Sequence, residues 1–437
     1  MNIKIGTTKS VCPVCLKVID ADKCTGNDGN IYMEKSCPDH GKFRTLIWEG
    51  NLSSYLKWSV DNTAVDPPLN AKVPDKGCPN DCGLCEEHLR KGCCMLLELT
   101  NRCNLSCPVC FASANKSAPK DLSIDEISSQ YDFLMSHGGP FNIQLSGGEP
   151  TVRDDLPEII KLGREKGFTF FQLNTNGIRL GSDNGEYAKL LKDSGLDTVF
   201  LQFDGLSDDV YITLRGKALF DIKEKAIENS VKANLGVVLV PVIAPGVNDN
   251  QVGDIINYAL SKAPGVRGVH FQPISYFGRC SEERPSKPIT IPKMLNLIEA
   301  QCGGKLLSSD FAAGGAENPY CSFHAAYQNK KDSFTLMPKK SGGCCCCSTT
   351  SDDSREQVSR QWSSGIADPQ DGFDEFLNEI HNQTFTVSGM IFQDGYNLDL
   401  ERLKRCYICE VDSSFGMVPF CAYNLTSTNG EYLYRGK

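Results

Sequence analysis

Residues 99 to 111 read LTNRCNLSCPVCF and place Cys103, Cys107 and Cys110 within eight residues. Thiolates spaced so closely are metal ligands by type, and three are one short of what a closed structural site or a four-iron cluster normally uses. The open metal position left beside them is where a ligand would bind and where chemistry is expected. A second triplet of the same C-x3-C-x2-C spacing, Cys78, Cys82 and Cys85, lies upstream, with Cys93 close behind as a candidate fourth thiolate that would close a cluster. Cys406, Cys409 and Cys421, joined by Cys321 from upstream, supply four thiolates for one more cluster. A second zinc knuckle is the alternative there, because C-x2-C suits both metals. Near the start of the chain, Cys12 and Cys15 form one knuckle and Cys37 with His40 another, either side of an Asn-Asp-Gly-Asn turn. Two knuckles on a hairpin converge on one tetrahedral ion, so these four residues read as a structural zinc site or a rubredoxin-like iron.

Composition agrees with a metal-binding reading. The chain has 22 cysteines in 437 residues, and its first residues lack a charged-then-apolar signal layout, which places it in the cytoplasm. Disulfides are rare in that reducing compartment, so clustered cysteines are expected to bind metals or act as catalytic thiols. The net charge of −9 and the absence of a basic run argue against a nucleic-acid partner. No apolar run approaches the roughly 20 residues needed to cross a bilayer, leaving at most peripheral contact at the inner face of a membrane.

The elements that must position the open triplet are regular from residue 95. Strand-like runs occur at 95–100, 141–146, 168–173, 198–203, 235–242 and 266–273, with amphipathic stretches between them that open on Asp, Asn or Ser as helix caps do. This alternation predicts a parallel sheet, in either an open or a barrel arrangement, with the site at the carboxyl ends of the strands. The triplet directly follows the first of these strands. The reading divides the chain into a zinc-ribbon or rubredoxin-like module (1–60), a linker with an auxiliary-cluster segment (61–94), a βα region (95–280) and a C-terminal cluster domain (281–437). The last contains four consecutive cysteines at 344–347 in a Gly/Ser-rich stretch that reads as a mobile loop.

With SGGEP (146–150), LNTNG (173–177) and LQFDG (201–205) at successive strand ends, the open triplet resembles the signature of the radical S-adenosylmethionine (SAM) superfamily. The resemblance implies an α/β fold, a partial (β/α)6 barrel with an N-terminal metal module and a C-terminal iron-sulfur domain. It also implies a [4Fe-4S] cluster held by Cys103, Cys107 and Cys110 whose open iron chelates SAM. The electron it delivers cleaves the sulfonium, giving methionine and a hydrogen-abstracting 5'-deoxyadenosyl radical. SAM contacts then fall to Gly147, Gly148, Glu149, Asn174, Asn176, Gln202 and Asp204. The two glycines would let backbone approach the ligand, and Glu149 would accept a hydrogen bond from its ammonium.

Nearly end to end, the layout of CPVC with CPDHG, GCPNDCGLC abutting the triplet, and RCYICEVDSSFGMVPFCAYN resembles a family that includes tetraether lipid synthase and a hydroxymethylpterin methyltransferase. This implies two auxiliary [4Fe-4S] clusters, one on Cys78, Cys82, Cys85 and Cys93 and one on Cys321, Cys406, Cys409 and Cys421. It also implies Zn or Fe at Cys12, Cys15, Cys37 and His40, and an electron donor such as ferredoxin or flavodoxin. The expected function is an oxygen-sensitive radical SAM enzyme that joins lipid alkyl or isoprenoid chains by carbon-carbon bond formation. The alternatives are methyl or one-carbon transfer to a hydroxymethyl pterin, and a non-catalytic iron-sulfur carrier. Cys24, Cys94, Cys280, Cys302 and the run at 344–347 have no assigned role. His88 and His324 have ligand spacing from Cys85 and Cys321 but read as surface or packing histidines. Tyr276, Phe277 and Arg279 face either an adenine or the core.

Overall fold

Alternating burial builds the N-terminal module. The strand Ile31–Cys37 turns Ile31, Met33, Lys35 and Cys37 inward and the residues between them outward, the period of two that a strand imposes. In the computed structural model, which describes residues 3–59, 65–115, 121–280, 284, 287–314, 317–330, 333–337, 350–365 and 371–437, it is the third strand of a four-stranded antiparallel meander. The others are Lys4–Val11, Val18–Thr25 and Gly41–Trp48. The run at 344–347 lies outside the described residues. Lys35 is buried, and all three of its protons are used: Nζ donates to Ser10 Oγ at 2.9 Å, Val11 O at 2.8 Å and Gly395 O at 2.7 Å. Burial pushes its pKa down to about 7. The Gly395 contact, a Lys23–Asp399 ion pair at 2.6 Å and a Tyr55–Tyr320 stack with centroids 4.4 Å apart fasten this module to the C-terminal third of the chain.

The six anticipated strands are Cys94–Thr100, Asn142–Gly147, Phe171–Thr175, Thr198–Gln202, Gly236–Val240 and Val266–Pro273, side by side in sequence order and parallel throughout. Helices cover their outer face, among them Ile124–Ser136, which opens on a Ser123/Glu126 capping box. Alternate residues sort the two faces. Met95, Leu97, Leu99, Ile143, Leu145, Val199 and Leu201 pack outward under the helices, whereas Cys94, Leu96, Gln144, Ser146, Phe200 and Gln202 point into a central cavity. The third strand begins three residues later than expected and reaches Thr175. Its end, Asn174 and Thr175, is polar and reads as loop by residue type.

The parallel sheet does not stop at residue 280. Thr384–Met390 adds beyond Val266–Pro273, and Ile408–Asp412 adds beside Cys94–Thr100, both parallel to their neighbours. Ser322–Lys330 then pairs antiparallel with Thr384–Met390 on one flank, and Gly416–Pro419 with Ile408–Asp412 on the other. The C-terminal region therefore supplies walls on both sides of the partial barrel. No described helix is long and apolar enough to cross a membrane.

Candidate active site

The cysteine loop leaves the first barrel strand and is clamped from three directions. Gly148 N donates to Thr100 O at 2.7 Å and Glu149 N to Arg102 O at 2.9 Å, so the loop after the second strand hydrogen-bonds the one after the first. Arg279 Nε donates to Cys107 O at 2.7 Å and Nη2 to Ala114 O at 3.0 Å. Val109–Cys110 pairs antiparallel with Arg279–Cys280. Arg279 is thus a latch for the loop, and the neighbouring Phe277 packs with Leu96 and Phe420 at the cavity wall.

A Cβ on Gly147 would collide with the carbonyl oxygen of Thr100, and one on Gly148 with that of Arg102. Gly147 also has φ +125°, which side-chain-bearing residues rarely adopt. The glycines permit close approach of the cysteine loop's own backbone. Gly148→Ala is expected to displace that loop, lowering iron uptake and costing about 1–3 kcal/mol of stability. Iron content and thermal unfolding of the anaerobically reconstituted variant check this, and an unchanged iron content would count against it.

Cys103, Cys107 and Cys110 all line the cavity, whose volume is about 1210 Å³. Burial pushes the Cys103 thiol up to about 12, with Glu149, Cys107 and Cys110 adding to the rise. Burial likewise raises Cys107, opposed by the Arg215 guanidinium. Three partly buried thiols gathered on one loop, with the Arg215 cation beside them, fit a bound metal cluster that deprotonates its ligands.

Glu149 is buried and nearly saturated. Oε1 accepts from Thr151 N at 3.1 Å, Thr151 Oγ1 at 2.6 Å and Thr175 Oγ1 at 2.6 Å, while Oε2 accepts from Asn176 N at 2.7 Å. With about two acceptor sites on each carboxylate oxygen, Oε1 is fully engaged and one site on Oε2 remains. Asn176 Nδ2 donates to Asn104 Oδ1 at 2.7 Å, beside Cys103, and Asn174 Nδ2 to Gln144 Oε1 at 3.3 Å. Gln202 lines the cavity but is held by Lys223 Nζ at 2.9 Å and donates to Asp204 at 2.9 Å.

Asp204 departs from expectation. It does not line the cavity; it is fully buried and takes a two-pronged bond from Arg215, Nε to Oδ2 at 2.7 Å and Nη2 to Oδ1 at 2.8 Å. Arg215 is the group that reaches the site, with Nη1 3.3 Å from Val109 O. The sequence reading overlooks Arg215 because a basic residue at the end of helix Asp208–Arg215, followed by Gly216 in left-handed conformation, looks like an ordinary helix terminus.

In the N-terminal module the ligand atoms of Cys12, Cys15, Cys37 and His40 all lie within 4.8 Å of one another. His40 Nδ1 is 3.6 Å from Cys12 Sγ and 3.5 Å from Cys37 Sγ. This is a single-ion donor set.

The radical SAM superfamily profile matches residues 97–259, and that of the HMPTM N-terminal zinc ribbon domain matches residues 4–49. The chain is 36% identical over 476 residues to the 7,8-dihydro-6-hydroxymethylpterin dimethyltransferase of Methanocaldococcus jannaschii, an alignment covering 95% of this chain and 93% of that protein. The chain belongs to the radical SAM superfamily. It is a radical SAM enzyme, with SAM and a [4Fe-4S] cluster as cofactors and a zinc ribbon at its N-terminus. It is also 32% identical over 178 residues to a probable GTP 3',8-cyclase of Methanothermobacter thermautotrophicus, covering 40% of this chain and 57% of that protein. Among solved structures it is similar to Streptococcus suis SuiB bound to S-adenosylmethionine, with TM-score 0.41, 15% identity and coverage of 48% and 46% of the two chains.

Two further cysteine sets of this radical SAM enzyme lie outside the cavity's cysteine loop. Cys78, Cys82 and Cys85 surround a small cavity also lined by Asp81, His88 and Lys404. Cys93 does not join them. Its Sγ lies 3.6 Å from that of Cys94, and the charges acting on it are Cys94, Arg355 and Glu317. Cys93 ends the approach to a strand whose next residue faces the barrel interior, which carries it away from the triplet.

In the C-terminal set, Cys321, Cys406 and Cys421 lie within electrostatic reach of one another, and Arg402 Nη2 donates to Cys321 Sγ at 3.4 Å. Cys409 is fully buried in Ile408–Asp412, opposite Met95 and Pro419, and the thiol acting most on it is Cys406. His324 lines the central cavity. His88 is buried, and burial pushes it down to about 4.

Proposed function

We propose that this radical SAM enzyme transfers methyl or other one-carbon groups to a hydroxymethyl pterin. The alignment with a hydroxymethylpterin dimethyltransferase across 95% of the chain, ribbon and C-terminal region included, carries the reading. It favours the pterin alternative over lipid-chain joining. The cavity supports it too: Gln144, Asn174 and Gln272 offer hydrogen bonds, and a rim of Phe200, His270 and Trp362 packs ring on ring, Phe200 and Trp362 with centroids 4.6 Å apart. A flat polar heteroaromatic ring uses both features, whereas an alkyl chain leaves the hydrogen-bonding groups unpaired.

Cys103, Cys107 and Cys110 hold the cluster, and Glu149, Asn174, Asn176 and Gln202 orient SAM. When bound, the cluster and SAM supply one-electron cleavage of a sulfonium and, through it, hydrogen abstraction. The protein's part is to hold the cysteine loop with Gly148, Glu149 and Arg279, to place the Arg215 cation beside the thiolates, and to keep water out of the barrel. Cys78, Cys82 and Cys85 carry one auxiliary cluster, and Cys321, Cys406, Cys409 and Cys421 another. Cys12, Cys15, Cys37 and His40 hold zinc, the ion a Cys3His set suits. Electrons come from a ferredoxin- or flavodoxin-type donor.

The test is an anaerobic assay of the reconstituted enzyme with a strong reductant, SAM as radical source, a separate one-carbon donor (further SAM or a methylene-bearing reduced pterin) and, in competition, 7,8-dihydro-6-hydroxymethylpterin and a dialkyl glycerol lipid deuterated at its terminal methyls. Mass spectrometry is expected to show a pterin bearing added methyl groups and no deuterium in 5'-deoxyadenosine. A coupled lipid with deuterium transferred would overturn the proposal.

A further inference from the structure

Among the described residues no fourth thiolate lines the cavity framed by Cys78, Cys82 and Cys85, and four groups compete for that place. Cys93 is turned toward Cys94, as above. Cys409 is buried in the main hydrophobic core and does not line the cavity. Asp81 does line it, but its Oδ2 accepts from three successive backbone amides, those of Asp75, Lys76 and Gly77, the first at 2.9 Å. A carboxylate oxygen so engaged already serves to fold the loop.

His88 differs from all three. Its backbone N–H donates to Cys85 O at 2.9 Å, a tight turn that brings the ring to the same cavity wall as the three cysteines. The ring's Nε2 lies 2.6 Å from the carbonyl oxygen of Cys406. A carbonyl oxygen only accepts, so Nε2 carries the proton and Nδ1 is left with a lone pair. This is the arrangement of metal-bound imidazoles, in which the distal N–H is tied to a carbonyl that fixes tautomer and ring orientation.

We propose that His88, through Nδ1, is the fourth ligand of an iron-sulfur cluster held by Cys78, Cys82 and Cys85. The inference rests on the auxiliary-cluster reading of that triplet. The ring then spans from this cluster to the backbone of Cys406, a member of the C-terminal set, and links the two auxiliary sites through one side chain. An imidazole in place of a thiolate also removes one negative charge from the cluster, which raises its reduction potential.

The experiment uses the full chain, anaerobically reconstituted, and reads iron per chain, circular dichroism and pulsed EPR of the reduced protein labelled with 15N-histidine. Cys82→Ser is expected to lose one cluster's iron. His88→Ala is expected to lose the same iron, while His88→Cys retains it, loses the nitrogen coupling seen in the wild type and shifts one reduction midpoint downward. Cys93→Ser is expected to keep both iron and coupling. If Cys82→Ser leaves the iron unchanged, the cluster reading itself fails. If Cys82→Ser loses iron but His88→Ala does not, or if Cys93→Ser or Cys409→Ser removes that iron while the histidine coupling is absent, His88 is not the ligand.

Discussion

Cys107→Ala abolishes reductive cleavage of SAM, with 5'-deoxyadenosine formation expected to fall by at least about 10³-fold, equivalent to more than about 4 kcal/mol of barrier. The substitution is a clean deletion of one thiolate. The loop around Cys107 is held through its backbone, by Arg279 on the Cys107 carbonyl, and those bonds survive the loss of the sulfur. With only Cys103 and Cys110 remaining in the loop, the cluster loses one of its three protein anchors. Iron per chain should fall by one cluster while the zinc of the ribbon and the melting temperature hold. Measuring iron, zinc and 5'-deoxyadenosine on the same preparation checks all three statements. A variant that kept turnover within tenfold of wild type would show that Cys107 is not a cluster ligand, and a protein that cleaved no SAM even unmutated would point back to an electron carrier.

Arg215→Met is expected to destabilise the protein by about 3–5 kcal/mol, because it leaves the fully buried Asp204 carboxylate without its cation. Burial works against the Arg215 charge, and Asp204 with the Cys107 thiolate more than offsets it. Two roles are joined in this residue: it neutralises Asp204 and it stands beside the cluster thiolates. The paired variant Asp204→Leu with Arg215→Met separates them. It should regain part of the stability, since replacing a buried pair by apolar groups is often neutral although Gln202 Nε2 and Val242 N lose their acceptor, but should keep impaired SAM cleavage because the cation beside Cys107 is still missing. Denaturant unfolding and the SAM cleavage assay read the two effects. Recovery of both in the double variant would reduce Arg215 to a structural partner of Asp204.

Much of the site is written locally. Cys103, Cys107 and Cys110 lie on one loop, Cys12 and Cys15 on one knuckle and Cys37 with His40 on another, so their spacing alone constrains them to share a site. The six strands and the helices between them are equally legible, because each strand is a short apolar run and each intervening stretch is amphipathic and opens on a turn-favouring polar residue. The seventh and eighth parallel strands were not. TFTVSGM, the sequence of Thr384–Met390, follows a long polar stretch, and its alternation of Phe385, Val387 and Gly389 is too short to stand out without the neighbour it pairs with.

The assignments that shifted all depend on pairings between distant segments. Cys93 is only eight residues from Cys85, yet its sulfur lies against that of Cys94 and it does not line the cavity of Cys78, Cys82 and Cys85. His88 reaches the carbonyl of Cys406, 318 residues away, only because the segment before the first strand runs along the one before Ile408–Asp412. Asp204 sits in a motif that suggests ligand contact, but a helix later in the chain returns Arg215 to it and takes up both its oxygens.

What the residues alone determined is the chemistry available: an open thiolate triplet, a GGEP turn after the second strand, a four-ligand ribbon and a parallel sheet to carry them, each set by interactions spanning a few residues. What only the tertiary structure decided is which groups meet: Arg215 at the cysteine loop, His88 at the cavity of Cys78, Cys82 and Cys85 that Cys93 does not line, and glycines pressed on the backbone of the cysteine loop. Strand order and register bring these groups together, and those arise from packing the whole sheet at once, a property that no short stretch of sequence carries.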